Sequence, residues 1–387
     1  MPSGSDAEYI PLLIAKTLNK GKKIVTICTC VEEVGSGTVN AASGKLFSNL
    51  EPIVKFADGS AKKDGDPVAE FNEGIQTVSI LAREPSGEVV NPTPETEKTL
   101  KACKDEGSVP ILHTVYGSKT GICEKFPDEF NKQVMSMNGV TVLDACQGRF
   151  SNSVIHDALT QEACILYTGS KFYRSPPFCG AIFIPAPIMK RLQEEKDFKM
   201  PKGLHTFFGK SEVPKELDHW RAQCNDSCNY GLALRWEAGL AEMEPTLKID
   251  ETERVSKTAE WRKAVVEMVG KHDNLNYFEA AYDTDSIISI RIKNTGDERP
   301  WFNKSELAKV FKAMTLDMSA KFPDNEIAKH KCFIGQPVLI SKTEAVLRIA
   351  QGSDSLRAYI SDPAASLAED QLIVNKMAYL GSKFADL

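Results

Sequence analysis

The chain has 387 residues, enough for two hydrophobic cores rather than one. Apolar residues make up 42% and charged residues 26%, which excludes a disordered or collagen-like chain. With 47 Lys and Arg against 53 Asp and Glu, a net charge of -6 and no basic block, nucleic acid is not expected as a partner.

The opening stretch "MPSGSDAEYIPLLIAKTLNKGKK" has no basic start followed by a long apolar run. No later stretch approaches the roughly 20 apolar residues of a membrane span. A soluble, cytoplasmic protein without membrane contact is expected. Ten cysteines are scattered along the chain without a C-x-x-C pair, which points to reduced thiols. Cys224 and Cys228, four apart in "CNDSCNYG", read as a helix-facing pair before they read as a metal site, and no metal is expected.

In chain order, short β-branched runs alternate with amphipathic stretches. The runs are "KKIVTICTC" (22–30), "IQTVSIL" (75–81), "VPILHTVY" (109–116), "VTVLDAC" (140–146), "ACILYTGS" (163–170) and "GAIFIP" (180–185). Between them "TPETEKTLKACKDEG" and "FPDEFNKQVMSMNG" carry helix periodicity, polar starts and a closing Gly. Alternation of this kind predicts an α/β domain, a mostly parallel sheet flanked by helices, over residues 1–245. After about residue 245 the texture changes. A charged helix (250–270), "DSIISIRIK", "NKSELAKVFKAMTLDMSAKF", "PVLIS", "AVLRIA" and "AEDQLIVNKMAYLGSKFA" predict a smaller C-terminal α+β domain over 246–387.

In open α/β sheets ligands collect at the carboxyl ends of the strands, so the residues following each run are the candidates. After the first comes "EVGSGTVNAASGKLF". Gly35 and Gly37 would let the backbone approach a ligand, Ser36 and Thr38 supply hydroxyls, and a helix starting near Val39 would aim free N–H groups at an anion. The alternative is a plain strand-to-helix turn, because the stretch is neither a P-loop nor G-x-G-x-x-G. After "VTVLD" stands "DACQ": Asp144 at the strand end calls for a cationic or proton-sharing partner, or else caps the next helix, and Gln147 reaches the same place. After "ACILY" come Thr168, Ser170 and Lys171. A Lys among apolar neighbours has its charged form disfavoured, which suits Schiff-base chemistry; the alternative is a structural Lys reaching solvent. Together the three signals match the three ends of pyridoxal phosphate: its phosphate, its ring nitrogen and its aldehyde.

At these residues the chain resembles the fold type I pyridoxal-phosphate enzymes, specifically the class V aminotransferase and cysteine desulfurase superfamily, from about residue 22 to 245 and again near 348. "GSGT" is similar to the family's phosphate loop, "DACQ" to its Asp-x-x-Gln, and "TGSK" to the turn ending in its cofactor lysine, with 27 positions from Asp144 to Lys171. The resemblance implies that Lys171 carries the cofactor as a Schiff base and moves protons at the substrate Cα. It implies that Asp144 pairs with the ring nitrogen, that Gln147 contacts the ring hydroxyl, and that Ser36, Gly37, Thr38, Thr168 and Ser170 hold the phosphate. Arg348 in "AVLRIAQG" resembles the substrate-carboxylate arginine, for which a surface ion pair is the alternative. A homodimer is implied, with Ser227 in "NDSCNYGL" lending a phosphate contact to the neighbouring subunit.

There are departures from the family pattern. About 34 residues precede "GSGT", so the N-terminal arm is expected to be short. Ala61 stands near the place of the ring-stacking residue, with His113 or Tyr116 as substitutes, and Ser118 replaces the Asn or Thr beside the ring hydroxyl. Transamination is the expected reaction, since it needs little beyond Lys171 and a carboxylate clamp. A cysteine desulfurase, another β-lyase or a decarboxylase is the alternative. "KHKCFIGQP" places Cys332 sixteen residues before Arg348, although Ile334 fills the position nearer the Gln-Pro where a persulfide cysteine stands. A non-catalytic binding module on the same fold is the third reading.

Overall fold

The computed structural model describes residues 1–48, 63–124, 128–204, 207–279, 286–294 and 299–387. The chain divides into two compact units. The first comprises Met1–Ala82, Val90–Ser118 and Glu124–Ala241, and the second Arg83–Val89, Lys119–Cys123 and Glu242–Leu387. No change of sequence texture marks the two short excursions, 83–89 and 119–123, that belong to the second unit.

Six strands form the sheet of the first unit: β1 (Ile24–Cys28), β2 (Ile75–Ser79), β3 (Val109–Val115), β4 (Val140–Asp144), β5 (Cys164–Thr168) and β6 (Gly180–Phe183). Their order is β2-β1-β3-β4-β5-β6. The first five run parallel and β6 returns antiparallel to β5. All six expected runs contain strands, each ending earlier than the run and two of them, β1 and β5, also starting later. β1, β3 and β5 are buried along their whole length, as near-continuous apolar runs in a two-sided parallel sheet should be, whereas the edge strand β2 is partly open.

The helices of this unit are α1 (Gly4–Ala7), α2 (Tyr9–Leu18), α3 (Thr38–Ala42), α4 (Thr93–Glu106), α5 (Asp128–Ser136), α6 (Asn152–Thr160), α7 (Ala186–Glu194), α8 (Asp218–Arg221) and the part of α9 (Tyr230–Leu247) up to Ala241. Alternate strand residues face opposite ways and meet different helices. Ile24, Val109, Ile111, Val140, Val142 and Leu166 join the side chains of α2 and α7, while Ile27 and Leu112 join Leu100 of α4 and Phe130 and Val134 of α5. The α2 sequence "YIPLLIAKTL" is apolar nearly all round and accordingly almost wholly buried. α4 ends where expected, at Gly107 in the left-handed region (φ 67°), whose N–H closes on the last turn.

The second unit has an antiparallel sheet of β7 (Leu275–Phe278), β8 (Ile287–Ile292), β9 (Gly335–Leu339) and β10 (Ala345–Ala350) in the order β7-β8-β10-β9. Helices α10 (Glu251–Val269), α11 (Lys304–Met314), α12 (Ser353–Ser361) and α13 (Pro363–Ser382) pack with it through Trp261, Val310, Tyr359 and Met377, which meet Ile290 and Leu347 of the sheet. α11 starts with an Asn303/Glu306 capping box. The fold is thus the expected one, a mostly parallel α/β sheet with a smaller α+β unit. Among the described residues no helix is long and apolar enough to cross a membrane.

Candidate active site

Lys171 stands in a turn directly after β5, fixed from several sides. Gly169 N–H donates to Cys179 carbonyl at 3.2 Å, Ser175 N–H to Gly169 carbonyl at 3.0 Å, and Ser175 Oγ to Arg235 carbonyl at 2.6 Å. A Cβ at 169 would come within 3.2–3.4 Å of Cys179, Ser175 and Trp236, so the turn is packed as tightly as a glycine allows. Phe172 and Tyr173 are buried, but Lys171 itself is exposed. The desolvated amine expected among apolar neighbours is therefore not found; Lys171 reaches outward from a rigid base.

Asp144 ends β4 and is 7% exposed. Its Oδ1 accepts from Cys146 N–H at 3.0 Å, and burial, the larger effect, raises the carboxyl above its usual range. It does not cap α6, whose N-cap is Ser151. The "DACQ" and "TGSK" turns are joined: Thr168 Oγ1 donates to Cys146 carbonyl at 2.7 Å, and Phe172 N–H donates to Gln147 carbonyl at 3.3 Å. Asp144, Gln147, Thr168, Ser170 and Lys171 thus sit on the adjoining carboxyl ends of β4 and β5.

The "GSGT" stretch differs from its expected form. α3 begins at Thr38 and lasts five residues, too short for much of a helix dipole. A Cβ on Gly37 would fall 2.7–2.8 Å from the Phe47 ring, so that glycine accommodates a neighbouring side chain. Ser36 is exposed and Thr38 is 6% exposed.

A second hydroxyl-rich turn, absent from the sequence-based candidates, lies on the same edge. α1 packs against β5, β6 and α3. A Cβ on Gly4 would meet Thr168 Cγ2 at 2.9 Å and Cys146 Sγ at 3.2 Å, and one on Gly35 would lie 3.7 Å from Ser5 Oγ. "PSGSD" therefore touches both the "DACQ"/"TGSK" corner and the "GSGT" loop. Its signal was present: Ser3 caps α1 by accepting from Asp6 N–H at 3.1 Å, just before the apolar run of α2. Asp6 is 8% exposed, and burial pushes its carboxyl up to about 6.

His113 lies in β3, 3% exposed, with Nδ1 3.3 Å from Glu8 Oε2. Tyr116 is half-buried against Phe150, their ring centroids 6.4 Å apart. Ser118 Oγ donates to Glu33 Oε2 at 2.5 Å. Ala61 lies outside the described residues. Ser227 is exposed, its N–H donating to Asn225 Oδ1. Cys224 is buried and Cys228 exposed, and among the described residues no group of side chains is arranged to hold a metal.

In the second unit Arg348 is on β10, half-buried. Nη1 donates to Lys119 carbonyl at 2.8 Å, while Nε and Nη2 donate to Gln336 carbonyl at 3.3 and 3.1 Å. A Cβ on Gly335 would come within 3.0–3.1 Å of Arg348 Cβ, Cζ and Nε, so the side chain lies across a position that only glycine leaves clear. Cys332 is 6% exposed, and burial raises its thiol.

No protein-family profile matches the chain, and no curated protein matches it in sequence. Solved structures do. Catharanthus roseus tryptophan decarboxylase in complex with L-tryptophan is 12% identical with a TM-score of 0.56, covering 100% of this chain and 69% of that one. Rhodiola rosea 4-hydroxyphenylacetaldehyde synthase is 13% identical with a TM-score of 0.54, covering 99% and 68%. Oryza sativa TDC, solved with PLP and tryptamine, is 12% identical with a TM-score of 0.52, covering 95% and 69%. At these identities the likeness shows the fold, and it is the fold that the family resemblance implies.

Proposed function

We propose that the chain is a pyridoxal-phosphate-dependent enzyme acting on an amino acid, with Lys171 as the amine that holds the cofactor's aldehyde. The observation that carries this reading is the placement of a buried carboxylate, Asp144, and an exposed primary amine, Lys171, on adjoining strand ends. The donor set fits the group. A protonated ring nitrogen gives a buried carboxylate a charge partner, and hydroxyls of Ser36, Thr38, Thr168 and Ser170, with the backbone at Gly37, suit a phosphate. Gly4 and Ser5 extend that edge. Asp6 works against a phosphate wherever it is ionised.

When bound, the cofactor supplies an electron sink for the bonds at the substrate Cα. Asp144 would pair with a protonated ring nitrogen, Gln147 would face the ring hydroxyl, and the Lys171 amine would take and return the Cα proton. Arg348 is assigned the substrate carboxylate; the carbonyls of Lys119 and Gln336 fix the plane of its guanidinium, which a bidentate contact needs.

Transamination is the first reading of the reaction, because it asks for no group beyond these. Decarboxylation is the second, favoured by the decarboxylase among the structures of similar fold. The desulfurase reading is disfavoured by the buried, raised thiol of Cys332. A homodimer is supported by Tyr230, Leu234 and Leu240 of α9, which are 77%, 71% and 53% exposed. Added pyridoxal phosphate should give a visible absorption band that Lys171→Ala abolishes, and a panel of amino acids assayed for keto acid and for carbon dioxide separates the two reactions. The absence of any band in the wild-type protein rejects the proposal.

A further inference from the structure

One group of buried titratable side chains has no role in the reading above. In β3 and β4, His113 pairs in register with Val142 and Val115 with Asp144, so the His113 and Asp144 side chains lie on one face of the sheet, the face that α2 covers. Glu8, at the junction of α1 and α2, enters the same layer. Its Oε2 is 3.3 Å from His113 Nδ1, and the two side chains are 2% and 4% exposed. Neither atom has a hydrogen-bond partner besides this contact among the described residues. Cys28 at the end of β1, Asp144 and Cys146 are near enough for the Glu8 charge to act on them.

An ionised Glu8 would be a buried carboxylate with one contact and a second carboxylate, Asp144, beside it. Burial without several donors, and a like charge nearby, both act against that state. An imidazolium at His113 would likewise be a buried cation with a single contact. One proton shared between a carboxylic acid and a neutral ring satisfies both atoms with no charge at all.

We infer that Glu8 and His113 form a buried, uncharged acid–imidazole pair, with Glu8 donating to Nδ1, that keeps Asp144 the only ionised group of the three. Glu8 is then a positioning residue for Asp144, which would face the cofactor's ring nitrogen. The inference rests on the cofactor reading for its consequence, but the state of the pair belongs to the protein alone. Burial agrees with it: Glu8 is raised well above the carboxylate range and His113 is lowered to about 4.

The test is the ¹⁵N spectrum of the His113 ring in cofactor-free protein, assigned by its loss in His113→Gln. The expected ring is neutral between about pH 5.5 and 8, protonated on Nε2 and not on Nδ1, in the wild type and in Glu8→Gln. In Glu8→Ala water replaces the acid, the ring titrates near its ordinary value of about 6.5, and pyridoxal phosphate binding gains a pH dependence there that Glu8→Gln lacks. A cationic ring at neutral pH, the Nδ1-protonated tautomer, or a Glu8→Gln protein whose cofactor affinity changes by about tenfold or more overturns the pair. If no form binds pyridoxal phosphate, the functional reading fails and the ring spectrum alone decides the pair.

Discussion

Asp6→Asn removes a buried carboxyl while keeping its shape, and its effect on stability follows from the surroundings. Asp6 is 8% exposed; Ser3 Oγ donates to its Oδ2 at 2.5 Å, and its own N–H donates back to Ser3. Burial outweighs these bonds and raises the carboxyl from 3.8 to about 6. The folded protein thus binds this proton more tightly than the unfolded chain, so Asp6's contribution is fully present below about pH 4 and is lost as pH rises through about 6. At about 1.4 kcal/mol per unit, ionised Asp6 costs the fold about 3 kcal/mol above that window. Asn escapes this cost but weakens a bond to Ser3 worth about 1 kcal/mol. The variant should therefore be about 2 kcal/mol more stable than wild type near pH 8, and equal or slightly less stable near pH 4. Urea unfolding of the cofactor-free protein at both pH values measures the difference. A variant no more stable at pH 8, or a gain of the same size at both pH values, refutes the burial argument.

Gly37→Ala should lose about 1–3 kcal/mol in the same unfolding assay, because its Cβ would sit 2.7 Å from the Phe47 ring; unchanged stability would refute the crowding argument. Lys376, fully buried on α13, donates to the carbonyls of Met314, Leu316 and His330. Lys376→Met leaves those oxygens without their donor and should destabilise the protein by about 3 kcal/mol or more, read as a lower urea midpoint. Gly335→Ala pushes Arg348 from its place and should raise KM for amino acids about tenfold or more with little change in kcat, as Arg348→Gln should. Asp144→Ala should weaken cofactor binding, followed by the visible band, and remove most turnover; unchanged turnover would end its role at the ring nitrogen.

The sheet was readable because its strands are apolar runs bounded by polar punctuation, and burial on both faces leaves such runs little else to form. β7 escaped notice because "LNYF" is four residues long, and α12 because it buries little more than Leu356 and Tyr359 among polar neighbours. Within the candidate site, Asp144, Gln147, Thr168, Ser170 and Lys171 were picked out by their position after strands, and the pairing of β4 with β5 and the bonds between their turns bring the two groups together. What sequence position does not convey is the direction of a side chain: Lys171 points outward, and Gly37 faces a phenylalanine. Gly4, Ser5 and Glu8 were passed over because the opening residues carry no strand before them, although they precede the most buried helix of the first unit.

If Lys171 is the cofactor lysine, it should be the amine that reacts with the aldehyde of pyridoxal phosphate. Incubation of the protein with pyridoxal phosphate, reduction with borohydride and peptide mapping by mass spectrometry would locate that amine. One phosphopyridoxyl group per chain is expected, on the peptide containing Lys171. Label spread over surface lysines such as Lys202 and Lys248, or the same amount of label in Lys171→Ala, would contradict it.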